Sequence, residues 1–515
     1  MAEKCEAGIF IYLFSAGVGA LFILVKVVGN LHSELRFITK NVRNIFLMEI
    51  LSQILNTMDD YIWGAPLLLM LIIVGIMLTW MLRLIQVTNL GRALKLVFTP
   101  HREDGEKVGE ITSFAALCTA LASTIGTGNI VGVATAVHMG GPGALFWMFV
   151  AAFFGMATKY AECLLAVKYR EVDSKGRYCG GPMYYIKNGM KCKPLATLFA
   201  IFTIGAGCFG IGTYCQVNSM VDANSIMFGM DPIASCVIIS VAVGLVTLGG
   251  LKSISAISAK LIPIMALFYI VGCLAVVVSN ITLIPEAIVT IVESAFNFDA
   301  GVGAATGIGI LVAMRFGVAR GMFSNEAGLG SAPIAAATAK TKYAAEQGLV
   351  NMTGTFFDTI IICMLTGLCI VLTNTWQGDL NGAKLTTEAF SMSMGASWGV
   401  YVVNIGLLLF AFTTIIGWNY YAESALVYLV GTKFIYVYRV IYIAIVASAA
   451  FMTLEVVWVL ADILNGLMAI PNLIALVWSR KDIVSETKIY LTYLKNRKNG
   501  SLLEEGESLE EAIYK

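Results

Sequence analysis

The residues best placed to do chemistry in this chain are two glycines, a threonine and an asparagine. Gly126, Thr127, Gly128 and Asn129 interrupt the run ASTIGTGNIVGVATAV, residues 122–137. The run lies in a stretch from Ile111 to Thr158 that carries no Asp, Glu, Lys or Arg and is long enough for two membrane helices. Two glycines weaken a helix there, and lipid offers no replacement hydrogen bonds. Such an interruption survives only where its freed N–H and C=O groups line a cavity and meet a ligand. The half beginning near Asn129 presents a positive end suited to a carboxylate. The half ending near Thr124 presents carbonyls suited to a cation, and sodium takes oxygen ligands. The pattern reads as a solute and ion site at the bilayer midplane, fitted to a zwitterionic amino acid.

Further polar groups sit in apolar sequence. Gln216, in FGIGTYCQVNSM, needs partners for its amide. It is a candidate substrate contact, and hydrogen-bonded glue between helices is the competing reading. Thr413, Thr414 and Trp418 lie in FAFTTIIGWNYY. Thr414 and Trp418, four apart, share a helix face and would cap a small pocket. A threonine bonding its own helix beside a core tryptophan is the alternative. Asp358, Glu423 and Asp462 fall within or near spans, close enough to predicted ends for pairing with Arg or Lys to compete with function. Lys159 and Glu162, three apart, read as an ion pair on a helix surface. Residues 315–341 read as a polar, Gly-rich cytoplasmic connection in which Arg320 and Glu326 would form an inner gate or simply tidy a loop.

The elements that position these groups follow from composition. The 515 residues are 58% hydrophobic and 13% charged, about half the charge of a soluble domain. That composition specifies an all-α, polytopic membrane protein. A net charge of +1 suggests no nucleic-acid partner. The eleven cysteines include no CxxC pair, and the three histidines have no metal-ligand spacing. Charge-poor runs predict spans near 8–29, 61–83, 112–138, 143–168, 195–228, 234–250, 254–280, 300–320, 349–374, 397–429, 434–454 and 456–479.

Alternate loops, near 83–110, 168–194, 251–260, 315–347, 430–440 and the tail from 480, hold 27 of the 34 Lys and Arg. The opposite loops hold one, Lys384. This asymmetry predicts a cytoplasmic C-terminus. The run 8–29 fits it poorly, because a span there would leave Arg36, Lys40 and Arg43 outside. It is therefore either an accessory helix or an extension with no transport role.

Without 8–29 and 61–83, ten helices remain, five and five, with the second five entering from the opposite side. That is the arithmetic of an inverted repeat. The expected organisation is an extension at 1–47, an extra helix and linker at 48–110, repeats at 111–299 and 300–480, and a tail at 481–515. The first helix of each half is glycine-interrupted, by GTGN in one and by Gly301, Gly303, Gly307 and Gly309 in the other. Glycines that only permit close helix packing are the competing explanation.

At these residues the chain resembles the alanine or glycine:cation symporters, also called sodium:alanine symporters. The resemblance rests on GTGNIVGVATA (126–136), GGPMYYI (180–186), RGMFSNEAGLGSAPIAAA (320–337) and GWNYY (417–421). It covers roughly Leu51 to Ser479. It implies a LeuT-type fold, a five-plus-five inverted repeat with one or two extra N-terminal helices. It further implies sodium-driven uptake of small neutral amino acids, alanine or glycine, by alternating access in the plasma membrane of a bacterium or archaeon. On the matching positions, Thr127, Gly128, Asn129, Gln216, Thr414 and Trp418 would hold the substrate. Ala122, Ile125 and Thr413 would hold the sodium ion, the coupling ion and the one cofactor-like group expected.

Other classes find less support. A proton-coupled carrier, or a channel or sensor on the same scaffold, would use the same residues. No Ser/His constellation or GxxxxGK[ST] pattern supports an enzyme or ATP drive.

Overall fold

The computed structural model describes residues 52–99, 108–296, 309–452 and 454–498. The chain divides into two units at Asp60, and the second, Tyr61–Lys515, holds every element discussed below. The run 8–29 and the acidic end lie outside the described residues. Among the described residues the structure is helical except for a short hairpin, Glu171–Val172 paired antiparallel with Tyr178–Cys179, and two isolated bridges.

Among the described residues, one extra membrane helix, Ala65–Met81, and two short ones, Ile85–Thr88 and Leu90–Phe98, precede ten core helices. Core helix 1 comprises Ser113–Thr124 and Val131–Gly140, and core helix 2 is Gly143–Lys168. Core helix 3 comprises Lys193–Phe209 and Tyr214–Phe228. Core helices 4 and 5 are Pro232–Thr247 and Gly250–Ser279. Core helix 6 comprises Ile310–Asn325 and Ala332–Ala336. Core helix 7 runs from Ala344 to Leu372, with a π-helical stretch at Phe356–Cys363. Core helices 8, 9 and 10 are Ala396–Val430, Ile435–Ser448 and Leu454–Trp478. The order is two sets of five, each opened by a broken helix. Eight described helices are long and apolar enough to span a bilayer, and the broken core helix 1 and core helix 4 supply shorter apolar ones.

Local sequence sets the ends. The Thr112 hydroxyl accepts the Ala115 N–H and starts core helix 1. Asp231 accepts the N–H groups of Ile233 and Ala234, and Pro232 needs no partner at that position. Small residues then set the packing distances. A Cβ on Gly317 of core helix 6 would overlap the Ala144 carbonyl of core helix 2, and one on Gly417 of core helix 8 would overlap Ser123 of core helix 1.

One expectation is corrected and another lies outside the described residues. Gly301, Gly303 and Gly307 lie outside the described residues, and Gly309 only precedes the helix start. The described break of core helix 6 lies instead at Glu326–Ser331, inside the segment expected to be a cytoplasmic loop. Glu326, Gly328 and Gly330 all have positive φ, at 56°, 94° and 81°, which no continuous helix accommodates. From Gly321 to Ala339 every residue is buried. The segment looked like a loop because it is polar and glycine-rich; it is polar because a buried break needs side chains and backbone that satisfy one another. The tail also begins as a helix, Arg480–Lys498, which packs on core helix 2 through Tyr160–Thr487 (2.8 Å) and Lys168–Glu486 (3.1 Å).

Candidate functional site

The first break is held by side chains from three other helices. Core helix 1 stops at Thr124, passes through a single turn at Thr127–Asn129 and restarts at Val131. The Gly126 N–H donates to Asn129 Oδ1 (2.8 Å), and the Thr127 N–H donates to Gln216 Oε1 (3.1 Å). Gln216 in turn donates to the Ile211 carbonyl (3.0 Å), at a kink between Phe209 and Tyr214 in core helix 3. The Thr414 hydroxyl, from core helix 8, donates to the Ile125 carbonyl (3.3 Å) and the Phe410 carbonyl (3.0 Å). A Cβ on Gly126 would stand 2.5 Å from Thr414 Oγ1 and 3.1 Å from Gln216 Oε1, so only glycine leaves this approach open. Thr127, Asn129, Gln216 and Thr414 are each at most 1% exposed. The structure thus brings Thr127, Gly128, Asn129, Gln216 and Thr414 together.

Trp418 shares the face of Thr414 and is fully buried, but its indole points to the other break. Nε1–H donates to Glu326 Oε1 (2.8 Å), the ring faces Gly207 of core helix 3, and the Trp418 Cβ faces Gly212. Thr413 is turned away from core helix 1. Its hydroxyl donates to the Phe410 carbonyl (2.9 Å) and lies 3.7 Å from Met265 Sδ of core helix 5. The hydroxyl that reaches a carbonyl of core helix 1 belongs to Thr414, one residue on and therefore about 100° round the helix.

Asp358 is fully buried mid-helix, and its carboxylate is held by neutral side chains. Its carboxylate accepts from Asn129 Nδ2 (2.7 Å), Ser324 Oγ (2.8 Å) and Thr359 Oγ1 (2.7 Å). It therefore joins both broken helices from the π-helical stretch of core helix 7, a geometry frequent at functional sites. The expectation that it sits near a helix end beside a basic residue is wrong. For the other two acids that expectation holds: Glu423 pairs with Arg439 (2.7 Å) and Asp462 with Arg320 (2.6 Å).

The second break repeats the device of the first. Asn325 Oδ1 accepts the Ala327 N–H (2.9 Å), and Asn325 Nδ2 donates to Thr359 Oγ1 (3.0 Å). The Gly328 N–H donates to Glu162 Oε1 (3.0 Å), and Asn472 bridges Glu162 (2.5 Å) and the Gly328 carbonyl (2.8 Å). Tyr185 donates to Asn472, and Ser331 donates to Glu326. Two expectations fall here. Lys159 and Glu162 are buried, not a surface pair, because their helix is covered by core helices 6 and 7. Arg320 pairs with Asp462, so Arg320 and Glu326 do not form a gate with each other. The buried polar set Ser324, Asn325, Glu326, Glu162 and Asn472 was missed. Its signal was present: one charge, Glu326, in the nineteen residues from Gly321 to Ala339, far too few for an exposed loop.

Outside the spans, the hairpin is pinned by charge. Asp173 accepts from the Arg177 backbone (3.0 Å) and side chain (2.8 Å). Burial pushes the Asp173 carboxyl up, but these bonds outweigh it and hold the group below its usual 3.8.

The chain has relatives among known proteins. The family model described as "Sodium:alanine symporter family" matches residues 48–504. A transporter of Haemophilus influenzae is 52% identical, covering 86% of this chain and 97% of its own length. The sodium/alanine symporter AgcS of Methanococcus maripaludis is 48% identical, covering 86% of this chain and 98% of its own length. The crystal structure of MhsT in complex with L-phenylalanine superimposes with a TM-score of 0.52 at 12% identity, covering 75% of this chain and 93% of that one. At that identity the likeness speaks for the fold, the LeuT-type arrangement of two broken helices between five-helix repeats. With its motifs on those breaks and a match along nearly its whole length, the chain is a multi-pass membrane protein of the sodium:alanine symporter family, an amino-acid:cation symporter and not an enzyme.

Proposed function

We propose that the chain imports a small neutral amino acid, alanine foremost, driven by sodium and by alternating access. The observation that carries this reading is the first break: a buried, uncharged interruption whose N–H groups are held by neutral amides and whose carbonyl end meets a threonine hydroxyl. The substrate carboxylate would take the N–H groups of Thr127, Gly128 and Asn129, the first of them in place of the Gln216 side chain that it meets here. Gln216 and Thr414 would then turn to the ammonium, and Trp418 would limit side-chain size from the direction of Glu326. The relative named sodium/alanine symporter supports alanine. Another, named probable sodium/glutamine symporter, GlnT of Bacillus subtilis, is 35% identical and makes glutamine the competitor to test.

Two seats for sodium follow. One is the set Ala122, Ile125 and Thr413, with Thr414 the better-directed hydroxyl. The other is Asp358 with Ser324, Thr359 and Asn129, a carboxylate ringed by oxygens and an amide, the ligand types sodium takes. A buried carboxylate also suits a proton, so proton coupling is the second reading. The excess of Lys and Arg in alternate loops supports a cytoplasmic C-terminus, with Lys384 outside.

The test is uptake of labelled alanine by purified protein in proteoliposomes under inward sodium, potassium or proton gradients. Accumulation that collapses without the sodium gradient is expected. Equilibration without accumulation would identify a channel. Accumulation on a proton gradient alone would replace sodium as the driver.

A further inference from the structure

The chain leaves the extra helix Ala65–Met81 by a turn that ordinary residues rarely adopt. Arg83 and Leu84 both have positive φ, at 54° and 56°. Gln86 Nε2 donates to Thr79 Oγ1 (3.0 Å) and pins the corner, after which Ile85–Thr88 and Leu90–Phe98 begin. Ile85, Ala93 and Val97 are buried, and Leu90–Phe98 packs on core helix 7. The other side is exposed. It carries Leu84, Val87 and Phe98 together with Arg83, Arg92 and Lys95. Arg92, Lys95 and Phe98 are each three residues from the next, so charge and ring are neighbours on the helix surface.

A helix face that mixes large apolar groups with cations suits the boundary between acyl chains and headgroups. Two further observations place it there. Trp80, 85% exposed, stands one turn before the corner, and tryptophan is the residue that favours this boundary. No Asp or Glu occurs between Tyr61 and Arg102, and no ion pair among the described residues uses Arg83, Arg92 or Lys95. Lys168, Lys187 and Arg439, by contrast, each meet a carboxylate. Arg92 donates to a neutral group, Asn89 Oδ1 (2.9 Å). Three exposed cations thus stand together without an internal counter-charge.

We propose that Arg83, Arg92 and Lys95 hold the phosphate of an anionic phospholipid, with Leu84, Val87 and Phe98 along its acyl chains, and that this lipid raises the rate of transport. Charge complementarity selects the headgroup, because three cations with no acid among them favour a net-negative lipid over a zwitterionic one. The link to transport is Phe98. Its ring, 70% exposed, meets the Phe357 ring edge-on with centroids 6.1 Å apart. Phe357 belongs to the π-helical stretch of core helix 7 and precedes Asp358. A lipid that orders Leu90–Phe98 holds Phe98 against this stretch, from which Asp358 reaches both breaks. The effect on rate rests on the symporter reading above; the lipid site does not.

Two measurements on the full-length protein test it. Native mass spectrometry compares retained phosphatidylglycerol with retained phosphatidylcholine. Wild type is expected to prefer phosphatidylglycerol, and each of Arg83→Gln, Arg92→Gln and Lys95→Gln to weaken its retention about fivefold. Arg83→Lys with Arg92→Lys keeps the charge and is expected to keep the lipid. Alanine uptake at saturating sodium is then compared in phosphatidylcholine vesicles with and without phosphatidylglycerol. Wild type should be several-fold faster with phosphatidylglycerol, and the triple glutamine variant should show the slower wild-type rate in both. Phe98→Ala should retain phosphatidylglycerol and lose the acceleration. Equal retention of the two lipids by wild type, full retention by the triple variant or loss of the lipid from the lysine pair would overturn the site. Equal wild-type uptake in both vesicles, or undiminished acceleration in Phe98→Ala or the triple variant, would overturn the effect on rate. No alanine uptake by wild type in either vesicle would sink the symporter reading, while retention still decides the lipid site.

Discussion

The two breaks solve one problem with different charges. Each interrupts the first helix of its repeat, each uses an asparagine Oδ1 to take a freed backbone N–H, and each asparagine Nδ2 then reaches core helix 7 at neighbouring residues, Asp358 and Thr359. They differ in the next donor. Thr127 N–H of the first break is met by a neutral amide, Gln216, while Gly328 N–H of the second is met by a carboxylate, Glu162. A helix end that already holds an anion has little left for another; one held by an amide that can turn away keeps its attraction for a substrate carboxylate. The comparison supports the proposal that the substrate takes the first break and that fixed charge belongs to the second.

The strongest way to break this comparison is at Asp358, where both helices meet. Asp358→Ala removes the carboxylate from three buried donors; Asn129 keeps the residue 358 carbonyl (3.2 Å) and Ser324 the Cys363 sulfur (3.2 Å), and a group left orphaned costs about 1–3 kcal/mol. Loss of transport with weakened thermal stability is expected. Wild-type uptake in this variant would remove core helix 7 from the account.

The asparagines sharpen it. Asn129→Ala should weaken alanine binding by roughly 5–150-fold, the equivalent of one orphaned buried N–H. Asn325→Ala should lower the melting temperature by a similar free energy and leave alanine affinity within a few-fold of wild type. Calorimetry on both variants separates the roles, and equal losses of affinity would make the breaks equivalent. The adjacent threonines give a smaller contrast. Thr414→Val removes the hydroxyl on the Ile125 carbonyl and should raise the alanine and sodium needed for half-maximal uptake. Thr413→Val should do so less, because its hydroxyl faces Met265. The reverse order would return the ion to Thr413.

The smallest effect lies outside the membrane. Asp173 has a lowered pKa in the fold, so its contribution to the hairpin is present above the usual 3.8 and is lost as pH falls through the lower folded value. Amide exchange at Lys175 and Arg177 should therefore accelerate only in strong acid. Acceleration already near pH 5 would place the anchor elsewhere.

The first break was legible because GTGN interrupts an otherwise apolar, uncharged run, and no loop is expected there. Gln216 and Thr414 were legible as polar groups in lipid-length sequence. The second break was hidden by its own polarity. NEAGLGSAP has the composition of a turn, and its burial follows only from Glu162 and Asn472 arriving from other helices. Lys159 and Glu162 misled for a similar reason: an i,i+3 pair of opposite charges describes a solvated face until two helices cover it. Thr413 and Thr414 differ by one residue, and sequence gives no phase fine enough to choose between their directions.

The central claim is that substrate occupies the first break. Gly126→Ala tests it with one methyl group, set 2.5 Å from Thr414 Oγ1 and 3.1 Å from Gln216 Oε1. Gly126 has extended backbone with negative φ, so alanine is conformationally admissible and only the space is lost. Alanine binding to the purified variant, measured by calorimetry at saturating sodium, should fall at least tenfold while the protein stays folded and monodisperse. Binding indistinguishable from wild type would contradict the claim.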